Sequence, residues 1–371
     1  MSEFQVSKQN YVECRIVNND LSKQQLNDGQ VLVKVDKFAL TANNITYAVV
    51  ADQIGYWQFF PPHATSKESE ADLANWGVLP VWGYADVVKS SNAEVPVGER
   101  LFGYFPPATH LIMHPSNVSP VAWIDSSKHR ADLPTAYNLY RKVEAEPGYN
   151  KAFEDERMLL YPLHVTSFAL YDYFQSNDWF GATQLVMISA SSKTSTGLAY
   201  GLQNDEKAPA QVALTSERNV KMVESLGVYQ QTLTYQQISE IDATQPTLIV
   251  DMSGNGQVLN DLHKHLGDNM KFCSNVGLTH WKEMETGPDF ITSRSEFFFA
   301  PSQLQKRIKE WGMEGFEKHS GKYLAHSFAK SREWLKMTNI DGLQGMAAIY
   351  PDLCEGKVAP EAGLLICMSK K

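Results

Sequence analysis

Paired cysteines are missing from this chain. Cys14, Cys273, Cys354 and Cys367 are scattered, and none belongs to a Cys-x-x-Cys pair. That spacing argues against a structural zinc site and for ordinary reduced thiols in a cytoplasmic protein. Long apolar runs are missing too: no stretch approaches the roughly 20 residues that cross a bilayer, so no membrane span is expected. The opening Met1-Ser2-Glu3-Phe4-Gln5 lacks the basic-then-apolar pattern of a signal peptide. Basic clusters are also absent, and the formal charge of −9 disfavours nucleic acid as a partner. There is no internal repeat and no low-complexity tract.

What is present falls into two kinds of pattern. The first 120 residues carry short strand-like segments between Gly/Pro turns, at Val31–Val35, Val81–Lys89, Leu101–Tyr104 and His110–Pro115. That rhythm predicts a compact β-barrel. A polar stretch from Ala131 to Arg157 is read as helical and bridging, and Ser167–Phe174 as helix. Alternation follows. Strands are expected at 185–188, 212–215, 247–251 and 271–276, with amphipathic helices between them and Gly227 and Gly267 at helix ends. Such alternation predicts a parallel sheet covered on both faces. Leu304, Ile308 and Trp311 share a helical face, and the chain closes with a helix from Ala347 and a strand near Leu364–Met368.

Glycine is scarce where a nucleotide site would need it. After the apolar run Leu185–Ile188 comes Ser189-Ala190-Ser191-Ser192-Lys193-Thr194-Ser195-Thr196-Gly197. A dinucleotide fold places a glycine-rich turn there, so that backbone approaches a pyrophosphate at a helix N-terminus. Ser191, Ser192, Thr194 and Ser195 could donate hydroxyl bonds instead, with Lys193 adding charge. Equally, the hydroxyls could merely cap the helix. Past the second strand stands Thr215-Ser216-Glu217-Arg218-Asn219, without the acid at the strand end that a ribose 2′-hydroxyl asks for. Ser216, Arg218 and Lys221 suit a 2′-phosphate and favour NADP over NAD, with Glu217 as the objection.

In order, these elements resemble the medium-chain dehydrogenase/reductase superfamily, its quinone and enoyl reductase branch in particular. The resemblance rests on Val31–Val35, Thr41-Ala42-Asn43-Asn44-Ile45, Val97-Gly98-Glu99-Arg100-Leu101-Phe102-Gly103, Ser225-Leu226-Gly227 and the Gly356–Pro360 turn. The wording Leu40–Tyr47, Phe59-Phe60-Pro61 and Thr279-His280-Trp281 is similar to an uncharacterised family related to that superfamily. The resemblance implies an α/β protein: a GroES-like β-barrel domain plus a Rossmann-type doubly wound parallel sheet, with a nicotinamide cofactor in the cleft. The expected division is 1–157 for the barrel and bridge, 158–315 for the Rossmann-like domain, and 316–371 returning to the barrel. The zinc-binding relatives carry a Cys near the Thr41 region and a His-Glu after it; neither is here, so no zinc is expected.

Hydride transfer without metal needs little more than orientation and one proton donor. Tyr47 and Tyr56 are the candidate donors, by the resemblance; barrel-wall packing is the plainer alternative. Thr41 and Asn44 could hold a carbonyl oxygen, or satisfy local backbone. The resemblance puts Thr166 near the nicotinamide, where a helix N-cap would serve as well. Gly277 follows the fourth predicted strand, where ligands gather. His280, Trp281 and Trp57 are candidate substrate contacts. His263 and His265 point to different helix faces, and His110 and His114 lack partners, so no metal site is expected. The reading is an NADP(H)-dependent, zinc-independent oxidoreductase acting on a quinone, enone or enoyl thioester. The alternatives are a non-catalytic small-molecule-binding protein on the same fold and, more remotely, an isomerase or lyase. Ser295–Phe299 is a candidate edge strand for a homodimer.

Overall fold

The computed structural model describes residues 2–19, 21–65, 68–146, 149–277 and 285–368. The chain divides into two compact units, Met1–Leu159 with Lys336–Lys371, and Leu160–Leu335.

The first unit opens with β1 (Ser2–Ser7), β2 (Cys14–Asn18) and β3 (Val31–Leu40), then α1 (Asn43–Ile54), α2 (Glu70–Leu73) and β4 (Trp76–Gly77). It continues through β5 (Val81–Ser90), β6 (Arg100–Phe105), β7 (His110–Met113), β8 (Pro115–Ser116), β9 (Ala122–Asp125) and β10 (Leu139–Lys142). The helix α3 (Glu154–Ser176) runs on into the second unit. Three glutamate and aspartate side chains, Glu154, Asp155 and Glu156, fill its first turn, where the helix dipole favours negative charge.

The second unit is built from β11 (Gln184–Ile188), α4 (Lys193–Gln203), β12 (Ala210–Thr215), α5 (Val220–Ser225), β13 (Gln231–Thr234), β14 (Thr247–Asp251), α6 (Gly256–Leu266), β15 (Met270–Asn275), β16 (Ser295–Phe297) and α7 (Ala300–Ser331). The chain then returns to the first unit as β17 (Lys336–Asp341), α8 (Gly342–Cys354) and β18 (Ala362–Cys367).

In the first unit one sheet runs β17-β18-β3-β5-β6-β10-β9-β8, with β7 also on β3, and β1 lies between β2 and β4 in a smaller sheet. Antiparallel pairing prevails, broken by the parallel pair β17–β18. Its interior holds buried charges, Arg130 paired with Asp125 and, separately, a network around Arg100. Arg100, almost wholly buried, bonds Glu154 through Nε and Nη2, Asp86 through Nη1 and Asp36 through Nη2. The guanidinium's planar fork lets one buried cation serve three carboxylates.

The second unit is a parallel sheet in the order β13-β12-β11-β14-β15-β16. Its central strands are buried along their whole length, as both faces are covered. Successive side chains of a strand face opposite ways. Leu185, Met187, Leu248 and Val250 accordingly pack with Phe174, Leu198 and Leu202. Val186, Ile188 and Ile249 pack with Val258, Leu259, Leu262 and Leu266 of α6.

Several expectations differ in detail. The strand expected over 110–115 is two strands, because the chain breaks at His114. The stretch expected as a helical bridge contains strand β10, and the first unit runs on into the start of α3, to Leu159. Residues 316–335 stay with the second unit: α7 kinks at Gly312, at φ +70°, but runs on to Ser331, and the return starts at Lys336 rather than 316.

Candidate functional site

In the parallel sheet β11 and β14 are neighbours, while the chain leaves β11 for β12 on the other side. This is the point where strand order reverses, and open α/β sheets bind ligands outside the carboxyl ends of such strands. Two turns stand there.

The first turn joins β11 to α4. Ser189 adopts φ +60°, the left-handed region that ordinarily takes glycine. Ser192 caps the helix, its Oγ accepting the Ser195 N–H at 3.1 Å. The same Oγ donates to Ser195 Oγ at 2.8 Å, and Ser195 Oγ donates to the Ser189 carbonyl at 2.9 Å. Ser191 Oγ accepts from Asn219 Nδ2 at 3.1 Å, which ties this turn to the one after β12. The hydroxyl protons of Ser192 and Ser195 are therefore committed inside the protein, where they shape the turn, and Ser191 Oγ takes part as an acceptor. Lys193 and Thr194, both half-buried, occupy the first positions of α4, whose N–H groups a helix leaves without intrahelical partners.

Gly197 has a different purpose from the one its place in the phosphate turn implies. A Cβ there would stand 2.7 Å from His164 Cδ2 and 2.7 Å from Ser167 Oγ. The glycine lets α4 lie against α3, and Tyr323 of α7 closes the same contact with its hydroxyl on the Gly197 carbonyl at 2.7 Å. His164 is wholly buried, its Nδ1 2.9 Å from Ser327 Oγ, and burial holds its pKa down at about 3. It is a neutral packing group.

The second turn joins β14 to α6 and contains a buried acid that sequence reading passed over. Asp251 Oδ1 accepts from Ser253 N at 2.8 Å and Ser253 Oγ at 2.7 Å; Oδ2 accepts from Gly254 N at 2.9 Å. Burial outweighs those bonds and raises its pKa to about 6. The Asp251 carbonyl accepts the N–H groups of Val276 and Gly277. Gly277 is a close-approach glycine: a Cβ would collide with the Met252 carbonyl.

At the end of β12, Ser216 is half-buried, and Arg218 and Lys221 are exposed. Thr166 is not at a helix start. It lies within α3, its Oγ1 donating to the Pro162 carbonyl at 3.0 Å. The N-cap reading is thus corrected: α3 begins at Glu154, and Pro162 lies inside it. His280 and Trp281 lie outside the described residues.

The remaining candidates belong to the first unit. Asn44 is buried at the start of α1, its Oδ1 accepting the Thr41 N–H at 2.8 Å and its Nδ2 donating to the Pro80 carbonyl at 2.9 Å. Its amide is spent on backbone, which anchors α1 beside β5. Thr41 is half-buried. Trp57 is buried and packs on Gly77, where a Cβ would strike its ring; it is a wall residue of the barrel. Tyr47 and Tyr56 are buried with ring centroids 4.9 Å apart. Burial pushes Tyr47 up to about 12 and Tyr56 higher still. Both phenols are protonated at neutral pH, which suits a proton donor and not a base. Tyr104 and Tyr137 join them, and neither was singled out from the sequence because both sit in segments that read as barrel wall or polar connection. Among the described residues no group of three or more His, Cys, Asp or Glu side chains is placed to hold a metal, and no helix is long and apolar enough to cross a membrane.

A family model described as "Protein of unknown function (DUF2855)" matches residues 38–359. The chain belongs to that family. No curated protein matches it. Among solved structures, CurA from Vibrio vulnificus in complex with NADPH is similar at TM-score 0.64 and 12% identity, covering 100% of each chain. The yhdH oxidoreductase from Salmonella enterica in complex with NADP gives 0.53 and 13%, again over 100% of each. A mutant form of enoyl thioester reductase from Candida tropicalis gives 0.54 and 11% over 99% of each. At such identities the likeness is one of fold. The chain shares the fold of these proteins, an α/β fold with a GroES-like β-barrel unit and a Rossmann-type parallel-sheet unit.

Proposed function

We propose that this protein is an NADP(H)-dependent, zinc-independent reductase of a quinone, enone or enoyl thioester. The observation that carries the reading is the strand order β13-β12-β11-β14-β15-β16 with a capped helix, α4, starting at its switch point. That is the arrangement in which a helix N-terminus receives a diphosphate. The similar proteins from Vibrio vulnificus and Salmonella enterica, bound to NADPH and NADP, support it.

The residues fit the cofactor with a smaller grip than hydroxyl counting implies. Lys193, Thr194 and the first N–H groups of α4 would take the diphosphate, while Ser191, Ser192 and Ser195 hold the turn in shape. Ser216, Arg218 and Lys221 would take a 2′-phosphate, since no acid stands at the end of β12. Gly277 and Thr166 remain proposed neighbours of the nicotinamide half. Bound NADPH supplies hydride. Tyr56 or Tyr47 supplies the proton, and Thr41 orients the substrate carbonyl. Trp57, His280 and Trp281 are proposed substrate contacts. The assembly proposed is a homodimer through β16, the outer strand of the parallel sheet, where Phe297 is exposed, in a cytoplasmic protein.

The test is NADPH consumption against a panel of quinones, enones and enoyl thioesters. At least one class should be reduced, with NADPH preferred over NADH. A second reading is favoured by one observation, the internally satisfied serine turn: a binding protein that holds a small molecule without turnover. Saturable ligand binding with no panel member reduced would select it.

A further inference from the structure

The reaction proposed above needs one proton as well as one hydride, and the barrel unit holds several phenols. Tyr56 is distinguished by a partner. Its Oη lies 2.8 Å from Tyr137 Oη, and the two rings meet edge to face, 5.6 Å apart at 86°. Tyr137 is itself held by rings, with Tyr104 at 4.8 Å and Phe59 at 5.4 Å. Its N–H donates to the Pro134 carbonyl, which fixes the turn that carries it. The rings that meet the pair are those of Tyr47, Phe59, Tyr104 and Trp82.

Two phenols carry two protons, and their mutual hydrogen bond uses one. The other is left for donation elsewhere. If Tyr137 donates to Tyr56, the spare proton is on Tyr56, and the oxygen that loses it keeps a donor. In aromatic surroundings such a bond is the main stabiliser of a phenolate, because a charge-assisted bond is roughly twice as strong as a neutral one. Burial raises the pKa of both phenols.

We propose that Tyr137 is a positioning residue for proton delivery by Tyr56: its hydroxyl donates to Tyr56 Oη, leaves the spare proton of the pair on Tyr56, and steadies the phenolate that delivery leaves. The inference rests on the reductase reading. In balance, hydride from the reduced nicotinamide adds to the electron-poor alkene or quinone carbon. The displaced electron pair becomes an enolate. The Tyr56 O–H bond breaks, its proton goes to that enolate, and water later returns a proton to the phenolate.

The test is a cycle of Tyr56→Phe, Tyr137→Phe and the double variant, each assayed for kcat and KM on an enone or quinone the parent reduces. Tyr137→Phe keeps the ring and should lower kcat at least about tenfold with KM near the parent's. In the Tyr56→Phe background it should change kcat by less than about twofold, as expected of a residue acting through another. Equal losses in both backgrounds would overturn the proposal and mark Tyr137 as a packing residue. A second readout needs no turnover: 3-fluorotyrosine placed at position 56 and its fluorine resonance recorded at neutral pH, where the phenol stays protonated. Tyr137→Phe removes the hydrogen-bond partner and should shift that resonance, and an unchanged resonance overturns the pairing. A parent that reduces nothing on the panel, with a resonance that moves, sinks the reductase reading and leaves the hydroxyl pair standing.

Discussion

After β11 the chain turns into its helix through Ser189 at φ +60°; after β14 it turns through Gly254 at φ +73°. Both turns stand at the centre of one parallel sheet, and each is closed by different chemistry. The β14 turn uses glycine for its left-handed residue and a single carboxylate, Asp251, to collect the N–H groups of Ser253 and Gly254. The β11 turn accepts a left-handed residue with a Cβ, at a cost of roughly 1–2 kcal/mol. It recovers stability through the chain from Ser192 Oγ to Ser195 Oγ to the Ser189 carbonyl. The lesson concerns room as well as energy. A glycine turn leaves its backbone bare to a ligand, whereas a hydroxyl turn fills the same space with its own bonds. Lys193 and Thr194 stand next to that turn, at the start of α4.

The largest expected effect breaks the comparison on the acid side. Asp251 titrates near 3.8 when unfolded and near 6 when folded, so the folded state binds its proton more tightly. Its contribution is complete below about pH 4 and is lost as pH rises through 6. A shift of about two units corresponds to about 3 kcal/mol. Asp251→Asn cannot titrate. The parent-minus-variant difference in urea-unfolding free energy should therefore fall by about that amount between pH 4 and 7, and a flat difference would refute the assignment. Next in size is Gly197→Ala. Its new methyl meets His164 and Ser167, and overpacking of this kind costs about 1–3 kcal/mol. The urea midpoint should drop with the slope unchanged; a variant as stable as the parent would show that α4 and α3 can part freely. The smallest effect sharpens the comparison directly. Ser189→Gly removes the left-handed strain and should stabilise by up to about 1 kcal/mol, while Gly254→Ala introduces strain and should destabilise by about 1–2 kcal/mol. Thermal unfolding would measure both, and equal signs would contradict the comparison.

The parallel sheet was legible because its strands are continuous apolar runs, as in Leu185–Ile188 and Leu248–Val250, separated by helices whose apolar residues keep one face. The barrel strands showed through their Gly/Pro turns. Strand β17 was not legible: Lys336-Met337-Thr338-Asn339-Ile340-Asp341 is exposed along nearly its whole length and carries no burial signal. The start of α3 was hidden by Pro162, which reads as a helix breaker. At the site, sequence located the turn after β11 and named its residues. It could not say which way a hydroxyl points, and Ser192 and Ser195 point inward. Tyr137 was missed because its partner in space, Tyr56, is remote in sequence, and Asp251 because a carboxylate at a strand end reads as solvent-facing until its burial is seen.

The most direct test of the central claim, that the start of α4 grips a dinucleotide diphosphate, is a titration of NADPH followed by nicotinamide fluorescence. The account expects saturable binding, at least about tenfold tighter for NADPH than for NADH, and weakened about tenfold or more by Lys193→Ala and by Arg218→Ala, each tenfold step being about 1.4 kcal/mol. Fluorescence that stays unchanged up to about millimolar NADPH, where binding free energy is only about 4 kcal/mol, would contradict it.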